Sequence, residues 1–218
     1  MSEKTYIFSD TLGLRKMQSV VQHVLEFIVT KGKGYVFTPS ELNHLQPRSA
    51  VDQALSRLAR RGAIKRLGRG VYSVPESHPL VGEIPPSARQ VAEALARGTG
   101  ANLQVSEAAA ANEVGLTTQV PGRLIYWTNG TPRTRRIGTT VIQFKRGSPR
   151  RLAGAGRAAG TVVQALRYLG PGGSSSTTIA RLRERLPESE RPALREIRNQ
   201  APEWMRPAID RIAGKHHG

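Results

Sequence analysis

The spacing of apolar residues over the first third of the chain predicts a fixed order of helices and strands. Between residues 15 and 31 apolar side chains recur three and four positions apart, as on one face of an amphipathic helix. The β-favouring residues 34–37 follow this helix. Thr38, Pro39 and Glu41 then form a capping box with proline at the first helical position, which predicts the start of a second helix.

A third helix is predicted over residues 49–62, with Ser49 as its N-cap and Gly62 as its stop. One face of this helix is apolar and the opposite face is polar and basic. The apolar face consists of Val51, Ala54, Leu55 and Leu58. The polar face consists of Ser49, Gln53, Ser56, Arg57 and Arg60. Two β-favouring segments follow, joined by Gly68-Arg69-Gly70, and glycines that can adopt positive φ favour a tight hairpin there.

Helix, short strand, helix, helix and hairpin is the order of a winged helix-turn-helix, which we therefore predict over residues 1–75. The major groove of DNA admits an α-helix, so the polar face of the third helix is the candidate DNA-reading surface. We expect Gln53, Ser56, Arg57 and Arg60 to contact base edges and Ser49 to contact a phosphate or base. In the hairpin, Lys65, Arg66 and Arg69 are the candidate contacts to phosphates or the minor groove. A protein-binding role, or an arginine face that is only solvated, is the alternative.

The rest of the chain predicts an α+β fold with a second domain. Proline-rich residues 76–86 indicate a linker, and residues 87–218 form the second domain. In this domain we expect capped helices at 87–98 and 106–115 and an antiparallel meander over 123–146, with a hairpin at Asn129-Gly130. C-terminal helices follow over 161–170, 178–186 and 193–200, and the end of the chain docks through Trp204, Met205 and Ile209.

Three segments resemble the AbiE-type (AbiEi-like) antitoxins of type IV toxin–antitoxin systems and their short relatives. They are residues 66–72 ("RLGRGVY"), residues 86–106 ("PSARQVAEALARGTGANLQVS") and residues 108–130 ("AAAANEVGLTTQVPGRLIYWTNG"). The resemblance implies a winged helix that binds operator DNA and represses its own operon. It also implies that the following domain acts as an antitoxin against a partner nucleotidyltransferase toxin. From the residues themselves, Asn112, Thr117, Thr118 and Gln119 either satisfy backbone groups or present a polar site.

Charge supports a polyanionic partner. The chain has 33 Lys and Arg against 16 Asp and Glu, a formal net charge of +17. No acidic residue lies between Glu113 and Glu184, an interval that contains twelve basic residues. A second basic patch is predicted on or near adjacent strands, and it could extend the DNA footprint, bind tRNA, receive an acidic toxin or be only a solvated sheet face. Its members are Arg133, Arg135, Arg136, Lys145, Arg146, Arg150 and Arg151.

Residue types that catalysis would require are absent or scattered. The chain has no cysteine, which excludes disulfides, thiolate nucleophiles and cysteine-based metal sites. The five histidines and the acidic residues form no pattern typical of a metal site or of a general acid and base. The segment "GPGGSSSTT" lacks the Gly-Lys-Ser/Thr ending of a phosphate loop and is expected to be a flexible loop before a capped helix. We therefore expect no enzyme activity, no cofactor and no metal.

The sequence predicts a cytoplasmic protein with no membrane partner, because no long apolar run or signal-peptide pattern occurs. Its expected function is that of a DNA-binding autorepressor and antitoxin paired with a nucleotidyltransferase toxin. A homodimer on an inverted-repeat operator is the expected DNA complex. One alternative is a non-specific DNA- or RNA-binding protein that uses the basic region 123–157. The other is a toxin-neutralising protein-interaction module that does not bind DNA.

Overall fold

The computed structural model describes residues 20–44, 47–119 and 121–214. The chain divides between Thr99 and Gly100 into two compact units. Each unit contains both helices and strands, so the α+β class expected from the sequence is confirmed. Among the described helices none is long and apolar enough to cross a bilayer.

The first unit contains three helices, a 3-10 turn and five short strands. Helix α1 is described over residues 20–31. The other elements are β1 (Val36–Phe37), the 3-10 turn (Pro39–Leu42), α2 (Arg48–Arg60), β2 (Lys65–Gly68), β3 (Val71–Ser73), β4 (Ser77–His78), β5 (Gly82–Glu83) and α3 (Ala88–Arg97). Strands β1, β3 and β2 form an antiparallel sheet in that spatial order.

The core of the first unit lies between α1, α2 and this sheet. Val51, Ala54, Leu55 and Leu58 of α2 are all buried, as the helical spacing predicted. They pack with Val20, Val24 and Ile28 of α1 and with Phe37 and Tyr72 of the sheet. Because burying a leucine contributes about 2 kcal/mol, this contact fixes which face of α2 points outward.

Two helix starts differ from the sequence prediction. The capping box at Thr38 is present, with the Thr38 backbone N–H donating to Glu41 Oε1 at 2.9 Å, but it begins only a four-residue 3-10 turn. Helix α2 begins at Arg48 with Pro47 in the N-cap position, so the prediction that Ser49 caps this helix is wrong. The Pro47 carbonyl accepts from Ala50 at 3.0 Å, so the N-cap lies two residues before the predicted one. The first five residues of the helix predicted over 15–31 lie outside the described residues.

The predicted linker and domain boundary also differ from the structure. Strands β4 and β5 pair within residues 76–86, where we expected no regular structure. Helix α3 has the predicted Ser87 cap, and Arg97 at its end donates to the Val36 carbonyl at 2.7 Å. These contacts place α3 in the first unit, so the boundary lies after residue 99 rather than at 86.

The second unit contains a four-stranded sheet and five helices among its described residues. Its elements are β6 (Leu103–Val105), α4 (Glu107–Glu113), β7 (Leu124–Thr128), β8 (Arg133–Ile137), β9 (Thr140–Arg146), α5 (Ala158–Leu169), α6 (Ser176–Arg185), α7 (Arg191–Glu196) and α8 (Arg206–Ala213). The core lies among α4 to α8. Met205 and Ile209 are fully buried as predicted, but Trp204 is exposed, so its predicted docking role is wrong.

The predicted antiparallel meander is wrong. The sheet order is β6-β7-β9-β8, with β7 parallel to β9 and β8 at the edge. Asn129-Gly130 does not turn a hairpin, because β7 pairs with β6 and β9 and not with β8. Asn129 Oδ1 instead accepts from the Asn102 backbone N–H at 2.8 Å. The tight turn lies at Gly138-Thr139 between β8 and β9, where Gly138 has φ +57°. The arginine-rich β8 takes the edge position because an edge strand tolerates charges that a central strand does not.

Candidate nucleic-acid interface

The outward face of α2 carries the side chains that the sequence predicted there. Ser49, Gln53, Ser56 and Arg60 are exposed, and Arg57 is half-buried beside them. Ser49 lies in the first turn of the helix rather than at its cap. Near it, the Arg48 guanidinium is paired with the Asp52 carboxylate at 2.9 Å. The exposed polar face of α2 therefore ends in two arginines at its C-terminus.

The β2–β3 hairpin follows α2 closely in the chain and adds further cations. Lys65, Arg66 and Arg69 are all exposed, and Gly70 turns the hairpin at φ +69°. Lys65 differs from the other two because its ammonium group pairs with the Glu83 carboxylate of β5. The sequence did not reveal this pairing, since β5 lies in the segment predicted to be a linker.

Most of these cations have no acidic partner. Within the described residues, no ion pair involves the five arginines of this surface, which are Arg57, Arg60, Arg61, Arg66 and Arg69. Other arginines that the structure describes in the first unit are paired, Arg89 with Glu93 at 2.9 Å and Arg97 with Glu41 at 3.3 Å. Arg57 and Arg60 also stabilise the C-terminal end of the α2 dipole, but that effect does not apply to Arg66 and Arg69.

The predicted second basic patch does not form one surface. Residues opposite each other on neighbouring strands point to the same sheet face, so Arg133 lies with Phe144 and Arg135 with Ile142. Arg136 points to the other face. The Arg133 guanidinium lies 5.2 Å from the centre of the Phe144 ring, and burial lowers its pKa, with a further contribution from Arg135.

The last part of the predicted patch contributes to a different site. Arg146, Arg150 and Arg151 line a cleft of about 630 Å³ with Arg167 of α5 and Arg206 of α8. The sequence prediction missed Arg167 and Arg206, because only the packing of α5 and α8 brings them to the loop after β9.

Two polar clusters have structural roles. The Asn112 side-chain amide donates to the backbone carbonyls of Thr117 and Gln119 at 3.2 and 3.1 Å, which favours backbone satisfaction over a polar site. In the first unit, Glu41 accepts from the Tyr35 hydroxyl at 2.9 Å and pairs with Arg97. Burial, followed by the contact with Glu41, raises the pKa of Tyr35.

No group of three or more side chains that could hold a metal ion occurs in the part of the chain that the structure describes. His216 and His217 lie outside that part.

The chain is an α+β protein with an unpaired arginine surface in its first unit and an arginine-lined cleft in its second. It belongs to a family of unknown function, DUF6088, whose profile matches residues 23–194. It is similar to the crystal structure of the RV2827C protein from Mycobacterium tuberculosis, with 17% sequence identity and a TM-score of 0.37. That alignment covers 92% of this chain and 81% of the other. No curated protein sequence matches this chain.

Proposed function

We propose that this protein is a sequence-specific DNA-binding transcriptional repressor that binds DNA through α2 and the β2–β3 hairpin. The observation that carries the proposal is the set of five arginines without acidic partners on one helix end and the hairpin that follows it. A field of one sign, on elements of the size that DNA grooves admit, attracts a polyanion.

The topology of the first unit is consistent with this role. The order α1, β1, 3-10 turn, α2, β2, β3, with β3 between β1 and β2, supports the proposal of a winged helix-turn-helix in which the 3-10 turn takes the place of the second helix. In such a domain α2 is the recognition helix and the hairpin is the wing. Gln53, Ser56, Arg57 and Arg60 then contact base edges, and Arg66 and Arg69 contact phosphates.

The operator is proposed to be an inverted repeat bound by two copies of the chain. A single recognition helix reads only a few base pairs, and two-fold symmetric half-sites are the usual way to extend a short site. The DNA upstream of the gene that encodes this protein is the first DNA to test, because the proposed repressor controls its own operon.

Gel-shift titration of the full chain tests the repressor proposal. The probes are the chain's own upstream region and a scrambled duplex of equal length and composition, each at two salt concentrations. We expect tighter binding to the upstream region at both salt concentrations and a steep loss of affinity for both duplexes as salt rises. Equal affinity for the two duplexes would contradict sequence-specific repression.

The same protein is proposed to act as the antitoxin of a module with a nucleotidyltransferase toxin. This proposal rests on the AbiE-type resemblance of residues 66–72, 86–106 and 108–130. Co-expression with an adjacent nucleotidyltransferase gene tests it, and we expect relief of the growth arrest that the toxin gene causes alone. Growth arrest that persists despite soluble expression of this chain would rule the antitoxin role out.

A further inference from the structure

The cleft of the second unit is a concentrated cationic site inside a concave surface. Five guanidinium groups line it, from Arg146, Arg150, Arg151, Arg167 and Arg206. The only acidic side chain among its lining residues is Glu203, which is largely exposed and lies 3.7 Å from Arg206. Its volume of about 630 Å³ falls within the usual range for small-ligand sites.

The internal partners of these arginines leave three charges uncompensated. Glu107 pairs with Arg151 at 3.0 Å, and Glu203 offsets Arg206. Arg146, Arg150 and Arg167 have no ion pair with any described residue. One phosphate carries a charge of about −1.5 to −2. Three uncompensated charges therefore match a short chain of phosphates better than a single one.

Two arginines of the cleft each have a buried guanidinium nitrogen without a hydrogen-bond partner among the described residues. Arg167 Nη2 donates to the Arg150 carbonyl at 3.4 Å, while Arg167 Nε is buried and has no hydrogen-bond partner among the residues described. Arg206 Nε is also buried and has no hydrogen-bond partner among the described residues. Burial, together with the neighbouring Arg151, lowers the pKa of Arg167. An anion that entered the cleft would reduce this repulsion.

The lining offers little to a nucleobase. Its only apolar residues are Ala201 and Pro202. The nearby Trp127 ring is already covered by the Arg151 guanidinium, 4.1 Å from the ring centre. A duplex, which presents its phosphates on a broad convex surface, does not enter a recess of this size. The cleft is therefore suited to the phosphates of a small ligand and not to its base.

We propose that the cleft between the loop after β9, α5 and the start of α8 binds a small ligand through a chain of two or more phosphates, without selecting a base. The ligand class includes inorganic tripolyphosphate and nucleoside triphosphates. This site is separate from the proposed DNA-binding surface, and its test does not depend on DNA binding.

Isothermal titration of the full chain with tripolyphosphate, ATP, GTP and orthophosphate tests the proposal at fixed ionic strength. We expect one site per chain and affinities for tripolyphosphate, ATP and GTP that agree within about threefold, because only phosphates are recognised. Orthophosphate is expected to bind at least tenfold more weakly, since it meets fewer of the guanidinium groups. Binding of tripolyphosphate no tighter than orthophosphate would overturn the proposal.

The variant Arg146→Gln/Arg150→Gln removes two of the three uncompensated charges, and we expect it to weaken tripolyphosphate binding at least tenfold. The matched control, Arg123→Gln/Arg136→Gln, removes two exposed arginines of the same unit outside the cleft and is expected to change affinity less than twofold. Equal losses in both variants would assign the binding to diffuse charge and contradict the site.

A single-stranded oligonucleotide without a terminal phosphate provides the last comparison. We expect it to bind the Arg146→Gln/Arg150→Gln variant as well as it binds the unmodified chain. If it binds more tightly than tripolyphosphate and the variant loses that binding, the cleft holds a nucleic-acid backbone and the proposal is wrong. Thermal unfolding of each variant distinguishes a lost ligand contact from a lost fold.

Discussion

At the scale of residues, the arginines of the first unit fall into two groups. Arg48, Arg89 and Arg97 lie within 3.3 Å of a carboxylate, and these pairs compensate their charges inside the protein. The second group, which has no such partner among the described residues, consists of Arg57, Arg60, Arg61, Arg66 and Arg69. Cations of the second group are free to neutralise phosphates or contact bases without first breaking an internal ion pair.

Replacing Arg57 or Arg60 by alanine is expected to reduce discrimination between the operator and scrambled DNA. A bidentate contact to a base contributes about 1–3 kcal/mol of discrimination, so the affinity ratio should fall by roughly five- to a hundredfold. Competition gel shifts with both duplexes measure this ratio. Arg89→Ala on α3 is the matched control and should leave the ratio unchanged. A parallel loss on both duplexes would mean that Arg57 and Arg60 contact only phosphates.

Breaking the Lys65–Glu83 pair is expected to strengthen DNA binding. Glu83→Gln releases the Lys65 ammonium group from its only acidic partner in the described part of the first unit, so binding to any duplex should become tighter. We expect about a threefold gain on operator and scrambled DNA alike at low salt. Glu93→Gln changes the net charge equally but releases Arg89 on α3, and it should give a smaller gain. Fluorescence anisotropy with both duplexes makes the comparison.

The raised pKa of Tyr35 predicts how the stability of the first unit responds to alkaline pH. Its pKa is raised in the folded state, so the neutral phenol stabilises the fold below its usual pKa near 10, and this stabilisation is lost as pH rises through the higher folded value. The free energy of unfolding should therefore fall less steeply above pH 10 in Tyr35→Phe than in the unmodified chain. Urea titrations at several pH values measure this, with Tyr168→Phe as control. If the free energy of unfolding falls equally steeply with pH in Tyr35→Phe and in the unmodified chain, ionisation of Tyr35 does not affect stability.

At the scale of elements, close packing around α5 organises the second unit. Gly160 lies in the first turn of α5, where a Cβ atom would meet the Gly154 carbonyl and lie 2.6 Å from Gln104 Oε1. The loop before α5 and strand β6 therefore approach the helix backbone directly. This approach explains a glycine inside a helix, where alanine would otherwise be favoured by about 1 kcal/mol.

Gly160→Ala is therefore expected to destabilise the protein despite its better helix propensity. Overpacking of this kind costs about 1–3 kcal/mol, because one of the contacted atoms belongs to the backbone and cannot rotate away. Gly122→Ala is the control, since no atom lies within 4 Å of the Cβ position there and its φ is not positive. Urea unfolding compares the two variants. A neutral or stabilising Gly160→Ala would show that the loop before α5 moves easily.

At the scale of the whole molecule, charge and the proposed interface do not coincide. Residues 100–218 contain 19 Lys and Arg against 8 Asp and Glu, so the second unit carries most of the net charge. Much of that charge is divided between two faces of the sheet, the cleft and internal ion pairs. The first unit has the smaller excess of basic over acidic residues. Its five unpaired arginines, however, lie on α2, at the end of α2 and in the β2–β3 hairpin.

The salt dependence of DNA binding separates these two sources of charge. Arg66 and Arg69 each neutralise one phosphate in the proposed complex, so these two contacts should contribute roughly −2 to the slope of the logarithm of affinity against the logarithm of salt concentration. Arg66→Gln/Arg69→Gln should reduce that slope by about two. Anisotropy titrations between 50 and 300 mM salt measure it, with Arg133→Gln/Arg136→Gln as control. A larger reduction in the control would favour non-specific binding through region 123–157.

The sequence by itself determined the local elements of this protein. Short-range patterns predicted the caps at Thr38 and Ser87, the apolar face of α2 and the hairpin turn at Gly70, because each depends on residues a few positions apart. Only the tertiary structure decided the remaining features. Packing between distant segments, which no local pattern records, decides three features. They are the central pairing of β7 with β9, the Lys65–Glu83 contact and the position of Arg150 and Arg206 in one cleft.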